Sequence, residues 1–331
     1  MFVPMYKALK RAKSLRGKPA WQDKMPRFKE QRDTYRIAAK HERKFARAFM
    51  EMERNLIDAD VEKNLLEAWN KGEGLFEIMN QIPIFTGDTN APIWDKIASK
   101  VTTAYDAIIT DSGDAEIKII NDKLKTNIDF TKGDKVPVVP VNVYSKLWIQ
   151  ERALKLLTQN VTQQQMASIQ LILQNAIERG LRGREVIALI KANLGLTARS
   201  VAALNNKQKL LDKLEYPKKQ QALILNKYKD DLLKQRAMSI ARTETIAAQA
   251  QGRNATWQIA SNSGSLPPVV RIWISAPSSP NPNRPCEICE DLDTRTAPLG
   301  GTYDSIIGPI AMPPAHPMCR CSETIVRDKG E

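Results

Sequence analysis

Histidine is almost missing from this 331-residue chain; there are two, His41 and His316. A metal nuclease that gathers several imidazoles around one ion has nothing to build with in the C-terminal half, where His316 stands alone. Aromatic residues are also scarce, at 6%, which favours helices packed through Leu, Ile, Ala and Met over an aromatic-rich β-sandwich. No apolar run approaches the ~18 residues of a membrane-crossing helix. The opening segment, Met1 to Lys7, lacks the apolar stretch of a secretory leader. Folding in a cytoplasm, with no membrane partner, is the expectation. Acidic residues are few at the N-terminus: residues 1–50 hold 15 Lys or Arg against 4 Asp or Glu, whereas the rest of the chain holds 35 against 33.

Cysteine is scarce too, but its placement is not random. All four cysteines fall between Cys286 and Cys321, as Cys286-Glu287-Ile288-Cys289 and His316-Pro317-Met318-Cys319-Arg320-Cys321. A Cys-x-x-Cys turn aims two sulfurs at one point, and thiolate is the ligand that structural Zn²⁺ prefers. Four of the five groups close a tetrahedral site: Cys286, Cys289, His316 and one of Cys319 or Cys321, or the four cysteines without His316. In an extended strand Cys319 and Cys321 share a face, so spacing does not choose between them. A disulfide pattern is the competing reading, and nothing in the sequence points to the oxidising compartment it needs. A thioredoxin-like redox pair lacks its surrounding βαβ pattern. Pro285-Cys286-Glu287-Ile288-Cys289 matches half of a zinc-deaminase signature, but the other half, His-x-Glu, is met only by His41-Glu42-Arg43, where the glutamate is one residue off. Glu290, Asp291 and Asp293 read as a solvated turn.

The basic N-terminal arm, carrying Lys7, Lys10, Arg11, Lys13, Arg16 and Lys18, suits a negative partner, either nucleic acid phosphate or an acidic protein surface. Four segments follow from composition: the arm at 1–50, a helical region at 51–140, a helical core at 141–262, and a strand with the Cys/His module at 263–331. From about Arg27 to Gly72 the text favours helix, with Phe49, Met52, Leu56, Val61, Leu65 and Trp69 as its apolar stripe. After a turn-rich stretch at 80–92, a helix with Ile93, Ile97, Val101, Ala104 and Ile108 on one face is expected to stop at Asp111-Ser112-Gly113-Asp114. Val136-Pro137-Val138-Val139-Pro140 reads as extended. Thr162 can cap a helix whose inner face is Met166, Ile169, Leu173, Ala176 and Ile177, ended by Gly180. A second helix carries Val186, Ile187, Leu189 and Ile190 to a stop at Gly195, and Thr197 caps a short third. Pro217 precedes a long helix running beyond Gln251. Within that helix Glu244 shares an arc with Leu233, Ala237, Ile240 and Ala247, while Arg242 points away. A carboxylate on an apolar face needs a partner, so Glu244 is expected to accept hydrogen bonds from a donor outside its own helix. Val269 to Ile274 is a strand with Val270, Ile272 and Ile274 on one face, and Ser322 to Val326 a closing strand. The fold class expected is mainly α with a small C-terminal α+β module resembling a zinc knuckle.

This order of elements resembles the tailed-phage minor head proteins, the head-morphogenesis family typified by phage Mu. The resemblance covers about residues 140–326. It rests on the Gly195-Leu196-Thr197 turn, Ala241-Arg242-Thr243-Glu244-Thr245 in a long helix, a Trp-bearing strand, Cys286-x-x-Cys289 with Leu292-Asp293, and Pro313-Pro314-x-His316-Pro317-x-Cys319-Arg320-Cys321. It implies a non-enzymatic virion protein, assembled in the bacterial cytoplasm and lying inside the capsid near the portal. Its implied partners are the portal protein and packaged double-stranded DNA, and beyond these the major capsid or scaffolding protein. The alternative is a zinc-dependent nucleic-acid-processing enzyme, a nuclease or a deaminase.

Overall fold

The helices begin and end on local chemistry that can be read residue by residue. In the computed structural model, which describes residues 29–54, 57, 59–82, 85, 92–126, 128, 145–156, 163–276 and 285–328, they are α1 (Lys29–Arg54), α2 (Ala59–Asn70), α3 (Leu75–Met79), α4 (Pro92–Leu124), α5 (Lys146–Lys155), α6 (Gln163–Glu178), α7 (Gly183–Asn193), α8 (Ala198–Lys213) and α9 (Lys218–Asn262). Strand β1 (Val269–Ile274), helix α10 (Glu287–Leu292) and strands β2 (Thr296–Pro298) and β3 (Ser322–Arg327) complete the chain. The protein is thus mainly helical, with a small antiparallel sheet of order β2-β1-β3 near the C-terminus. No single helix among the described residues is long and apolar enough to cross a membrane. The arm residues Lys7, Lys10, Arg11, Lys13, Arg16 and Lys18 lie outside the described residues, as do Thr162 and the 136–140 segment.

Two units make up the structure, and each is assembled from separated stretches of chain. The helical unit comprises His41–Ala107 and Asn142–Thr245. Here α7 packs on α2 and α6, α8 packs on α6, and α3 touches both α2 and α6. Helix α6 ends where Gly180 takes a positive φ of 60°. This conformation costs glycine little and lets Leu181 N–H reach back to the Ala176 carbonyl at 3.0 Å. Thr197 caps α8, its hydroxyl accepting from Ser200 N–H at 3.2 Å. Ile169, Leu173 and Ala176 are buried as their spacing predicts, but Ile177 is exposed. Its place at the end of the helix turns it past the edge of the packing. The third helix, expected to be short, runs for 16 residues.

Two buried ionic nodes pin this unit. The Arg236 guanidinium pairs with Glu53, donates to the Gly195 carbonyl at 3.0 Å, and lies over the Phe49 ring at 5.5 Å. Gln165 ties in the same turn by accepting from Gly195 N–H at 3.2 Å. Burial pushes the Glu53 carboxyl above its ordinary range, and Arg236 opposes that shift. A Cβ at Gly195, whose φ is +86°, would meet Glu53 Oε2 at 2.8 Å, so the turn closes on a residue without one. At the second node Glu244 is 2% exposed. It accepts from Arg152 Nε at 2.7 Å, Arg152 Nη2 at 3.1 Å and the Tyr105 hydroxyl at 2.7 Å. The external donors expected for Glu244 are therefore present on α5 and α4. Arg242 does not simply point away; it pairs with Glu42 at 3.1 Å and is largely covered.

The sheet unit takes the chain up to Lys40, Ile108–Val141 and Ile246–Glu331, within their described residues. Helix α4 does not stop at Asp111-Ser112-Gly113-Asp114 but continues to Leu124. The reason is packing: Ser112 is buried, and a Cβ added at Gly252 of α9 would meet the Ile109 carbonyl at 2.6 Å and Ser112 Cβ at 3.1 Å. Small residues here let two helix backbones approach, an advantage that outweighs their weak helix propensity. Gly252→Ala is expected to cost about 1–3 kcal/mol through overpacking, readable as a lowered urea midpoint. Below this crossing Ile120, Leu124, Ile128, Trp257, Ala260, Leu266 and Ile325 form one core cluster. Glu116 accepts from Trp257 Nε1 at 2.9 Å and lies 3.5 Å from Arg253.

In β1 the buried side differs from the expected one. Arg271 and Trp273 are fully buried, whereas Val270 and Ile272 are half-buried and only Ile274 of the expected face is covered. The register puts Trp273 opposite Glu323 and Arg271 opposite Ile325, so Arg271 and Glu323 are diagonal neighbours on one face. Arg271 Nη1 lies 3.1 Å from Glu323 Oε2. The ion pair is what lets a charged residue occupy the inner side of the strand.

Candidate metal centre

Strand β1 positions the first cysteine pair. Trp273 N–H donates to the Arg295 carbonyl at 2.9 Å, and Thr294 N–H donates to the Trp273 carbonyl at 3.0 Å. Just beyond the strand, Ser275 N–H donates to Asp293 Oδ1 at 2.9 Å and the Ser275 hydroxyl donates to the Cys289 carbonyl. Asp291 accepts from Arg295 and, at 3.2 Å, from Ile306 N–H. Asp291 and Asp293 are therefore ties that hold the loops in place, not a solvated turn. Cys286 is the N-cap of α10 and Cys289 lies within its first turn, which brings both sulfurs to one side.

The second pair arrives because β3 is the antiparallel partner of β1. Ile274 pairs with Ser322, so Cys321 and Cys319 emerge beside the end of β1. Cys319 N–H donates to the His316 carbonyl at 3.2 Å, and Tyr35 of α1 donates to the Arg320 carbonyl at 3.2 Å. His316 Nδ1 donates to the Pro317 carbonyl at 2.8 Å, which leaves Nε2 as the ligating atom.

All five groups named from sequence converge. His316 Nε2 lies 3.1 Å from Cys286 Sγ and 3.1 Å from Cys289 Sγ, and Cys289 Sγ lies 3.7 Å from Cys319 Sγ. Two overlapping sets of ligand atoms form: Cys286, Cys289 and His316, and Cys289, Cys319 and Cys321. Cys289 belongs to both and is the hub. A tetrahedral ion with metal–sulfur bonds of about 2.3 Å sets its sulfurs about 3.8 Å apart, and the Cys289–Cys319 separation matches that edge. All four thiols are free, so the disulfide arrangement is not the one adopted. The cluster can hold a metal ion.

The groups of the cluster share their protons unevenly. Hydrogen bonds from Cys289 and Cys321 hold the Cys319 thiol well below its ordinary value, while Cys289 is pushed up, chiefly by its hydrogen bond to Cys319. His316 is raised to about 9, first by its hydrogen bond to Cys319. Cys289, Cys319 and Cys321 are each at most 2% exposed. Neither ligand set contains a carboxylate. A cavity lined in part by Cys321, Ser322 and Glu323 measures about 10 Å³, room for about one water molecule and for no organic substrate.

Around the sulfurs pack Trp273, Leu292, Ala297 and Tyr303, with the Trp273 and Tyr303 rings edge to face at 5.3 Å. The residue that sequence reasoning missed is Arg271. It donates to the carbonyls of Pro298, Gly301 and Ala311, in the stretch between the two cysteine pairs, and lies over the Tyr303 ring at 4.9 Å. The chain matches no family model, no curated protein and no solved structure.

Proposed function

We propose that this chain is a structural and assembly protein of a tailed-phage head, with Zn²⁺ as the ion of its metal centre. Thiolate and imidazole donors, at least four of them and no carboxylate, suit zinc in a closed structural site. The observation that carries the reading is where the motif residues lie. Gly195, Glu244, Trp273, Cys289 and Cys319 are all buried in architectural contacts. A set of residues devoted to shape, around a cluster of thiol and imidazole donors with no carboxylate in it, supports a structural component of a virion. In this reading the protein lies inside the capsid near the portal, and the basic arm meets packaged DNA or the portal surface.

Mass spectrometry of purified DNA-filled particles tests the assignment. Recovery of the chain in particles is expected, and its absence from them would sink the idea. For the arm, duplex-DNA affinity of the full chain should fall steeply with salt. Neutralising Lys7, Lys10, Arg11, Lys13, Arg16 and Lys18 together should flatten the log–log slope by about 5, at ~0.9 per phosphate contact. An unchanged slope would remove DNA as the arm's partner. Metal-dependent DNA cleavage that disappears in Cys289→Ser would favour a zinc-dependent nucleic-acid enzyme instead.

A further inference from the structure

The helical unit carries a second basic region that the charge of the N-terminal arm conceals. Residues 199–234 hold nine Lys or Arg against four Asp or Glu. Two of those acids are already engaged, Asp212 with Lys218 and Asp231 with Lys227. Lys207, Lys209, Lys213 and Lys219 form no ion pair among the described residues, and three of them are exposed, Lys207 being half-buried. Their charge is left to solvent or to a partner.

The same stretch exposes apolar side chains. Among the described residues nine large hydrophobics are exposed, and four of these fall between residues 210 and 223: Leu210, Leu214, Tyr216 and Leu223. Leu214 is 58% exposed and Leu223 66%. Leu210 and Leu214 are one turn apart, on the same side of the helix as Lys207. On α9, Lys219, Leu223 and Lys227 follow at four-residue steps and form one stripe. Beside them a cavity of about 370 Å³ is floored by Ile172, Leu189, Leu204 and Leu225, with Gln208 and Lys218 among its polar lining.

The turn that presents these groups is held by its own hydrogen bonds. Tyr216 N–H reaches the Leu211 carbonyl at 3.1 Å across Glu215, which takes a φ of +53°. Gln221, itself buried, donates to the Tyr216 carbonyl at 2.8 Å and accepts from Gln208 at 2.6 Å. A preorganised surface loses little entropy on binding.

We infer that the α8–α9 turn is a docking site for an acidic, leucine-bearing segment of a partner protein. Carboxylates would meet the unpaired lysines. Apolar side chains would meet Leu210, Leu214 and Leu223 and enter the neighbouring cavity. Phosphate recognition alone gives no reason for leucines at this density, whereas a protein partner rewards both kinds of group. The inference does not depend on the head-protein reading.

Fluorescence anisotropy of the full chain with a labelled acidic helical peptide tests it, the peptide carrying leucines at alternating three- and four-residue steps. A scrambled peptide of the same composition, short duplex DNA and phosphatidylglycerol-rich vesicles serve as competitors. The ordered peptide is expected to bind more tightly than the scrambled one. Leu210→Ser/Leu214→Ser/Leu223→Ser and Lys207→Glu/Lys213→Glu/Lys219→Glu should each weaken it about tenfold or more. All six residues lie on the surface, and unchanged circular dichroism and metal content would show that the variants fold; should one set misfold, the other decides. Equal binding of the two peptides overturns the proposal. So does an unaffected leucine variant, or displacement of the peptide by DNA or vesicles that bind the leucine variant as well as wild type.

Discussion

Cys289→Ser is expected to remove the metal from the chain and to unfold the loops between Cys286 and Cys321, while leaving the helices intact. Cys289 is the sulfur common to both ligand sets. Its loss breaks every choice of four ligands, whereas loss of Cys321 leaves Cys286, Cys289, His316 and Cys319 as a complete set. Structural zinc contributes on the order of 10 kcal/mol to the fold of a small module, and regular structure in these loops is slight. Between the cysteine pairs the regular structure is one six-residue helix and one three-residue strand. The apolar cluster of Trp273, Leu292, Ala297 and Tyr303 is itself completed by three cysteines. Elemental mass spectrometry should read one metal per wild-type chain and almost none in the variant. Limited proteolysis should cut the variant between 286 and 321, with far-UV circular dichroism nearly unchanged. A variant that keeps its metal, or that loses it and still resists the protease, would show that packing alone orders the module. Cys319→Ser and Cys321→Ser, compared in the same assay, then identify the fourth ligand.

How far the sequence foretold this arrangement depends on the scale of the signal. The cysteine pairs and His316 were legible because ligand chemistry demands particular residues at short spacing. Gly180, Thr197 and Pro217 mark helix ends because caps and breakers act within a few residues. Glu244 was legible as a buried acid needing a donor, yet nothing named Arg152 or Tyr105, since those contacts span 92 and 139 residues of sequence. The misreading of Ser112-Gly113 has the same origin. Small residues weaken a helix locally, but here Ser112 lies against Gly252, where the two helix backbones approach closely. Hydrophobic alternation also named the wrong face of β1, because Val270 and Ile272 outrank an arginine on any apolar scale. Only the register with β3, which sets Glu323 within reach, makes Arg271 an inward residue.

Arg271→Ala should accordingly be among the most damaging single substitutions in the sheet unit. The guanidinium is 1% exposed at its side chain and its partner Glu323 is fully covered. Burial pushes the Glu323 carboxyl above its ordinary range, and Arg271 is the first of the groups that pull it back. Removing the arginine leaves a desolvated acid with hydrogen bonds from Tyr303 at 2.9 Å and from Asn254, and with the weaker pull of the Arg253 charge. It also orphans carbonyls of Gly301 and Ala311, on the stretch that joins the two halves of the metal centre. Breaking one side of a buried pair costs about 3–5 kcal/mol, a large share of a typical domain's ~5–15 kcal/mol. Arg271→Lys should rescue little, because one ammonium cannot serve acceptors spread around a planar fork. Glu323→Gln should be milder, since it still accepts from Tyr303. Urea unfolding followed by tryptophan fluorescence measures all three, and a competitive chelator reads the metal affinity alongside. Both should fall together in Arg271→Ala, because the arginine holds the carbonyls of Gly301 and Ala311 on the stretch between the two cysteine pairs. A loss below about 1 kcal/mol, the scale of an ordinary substitution, or a loss of stability with metal affinity unchanged, would mean that the ion pair serves the sheet alone and that the metal orders its loops unaided.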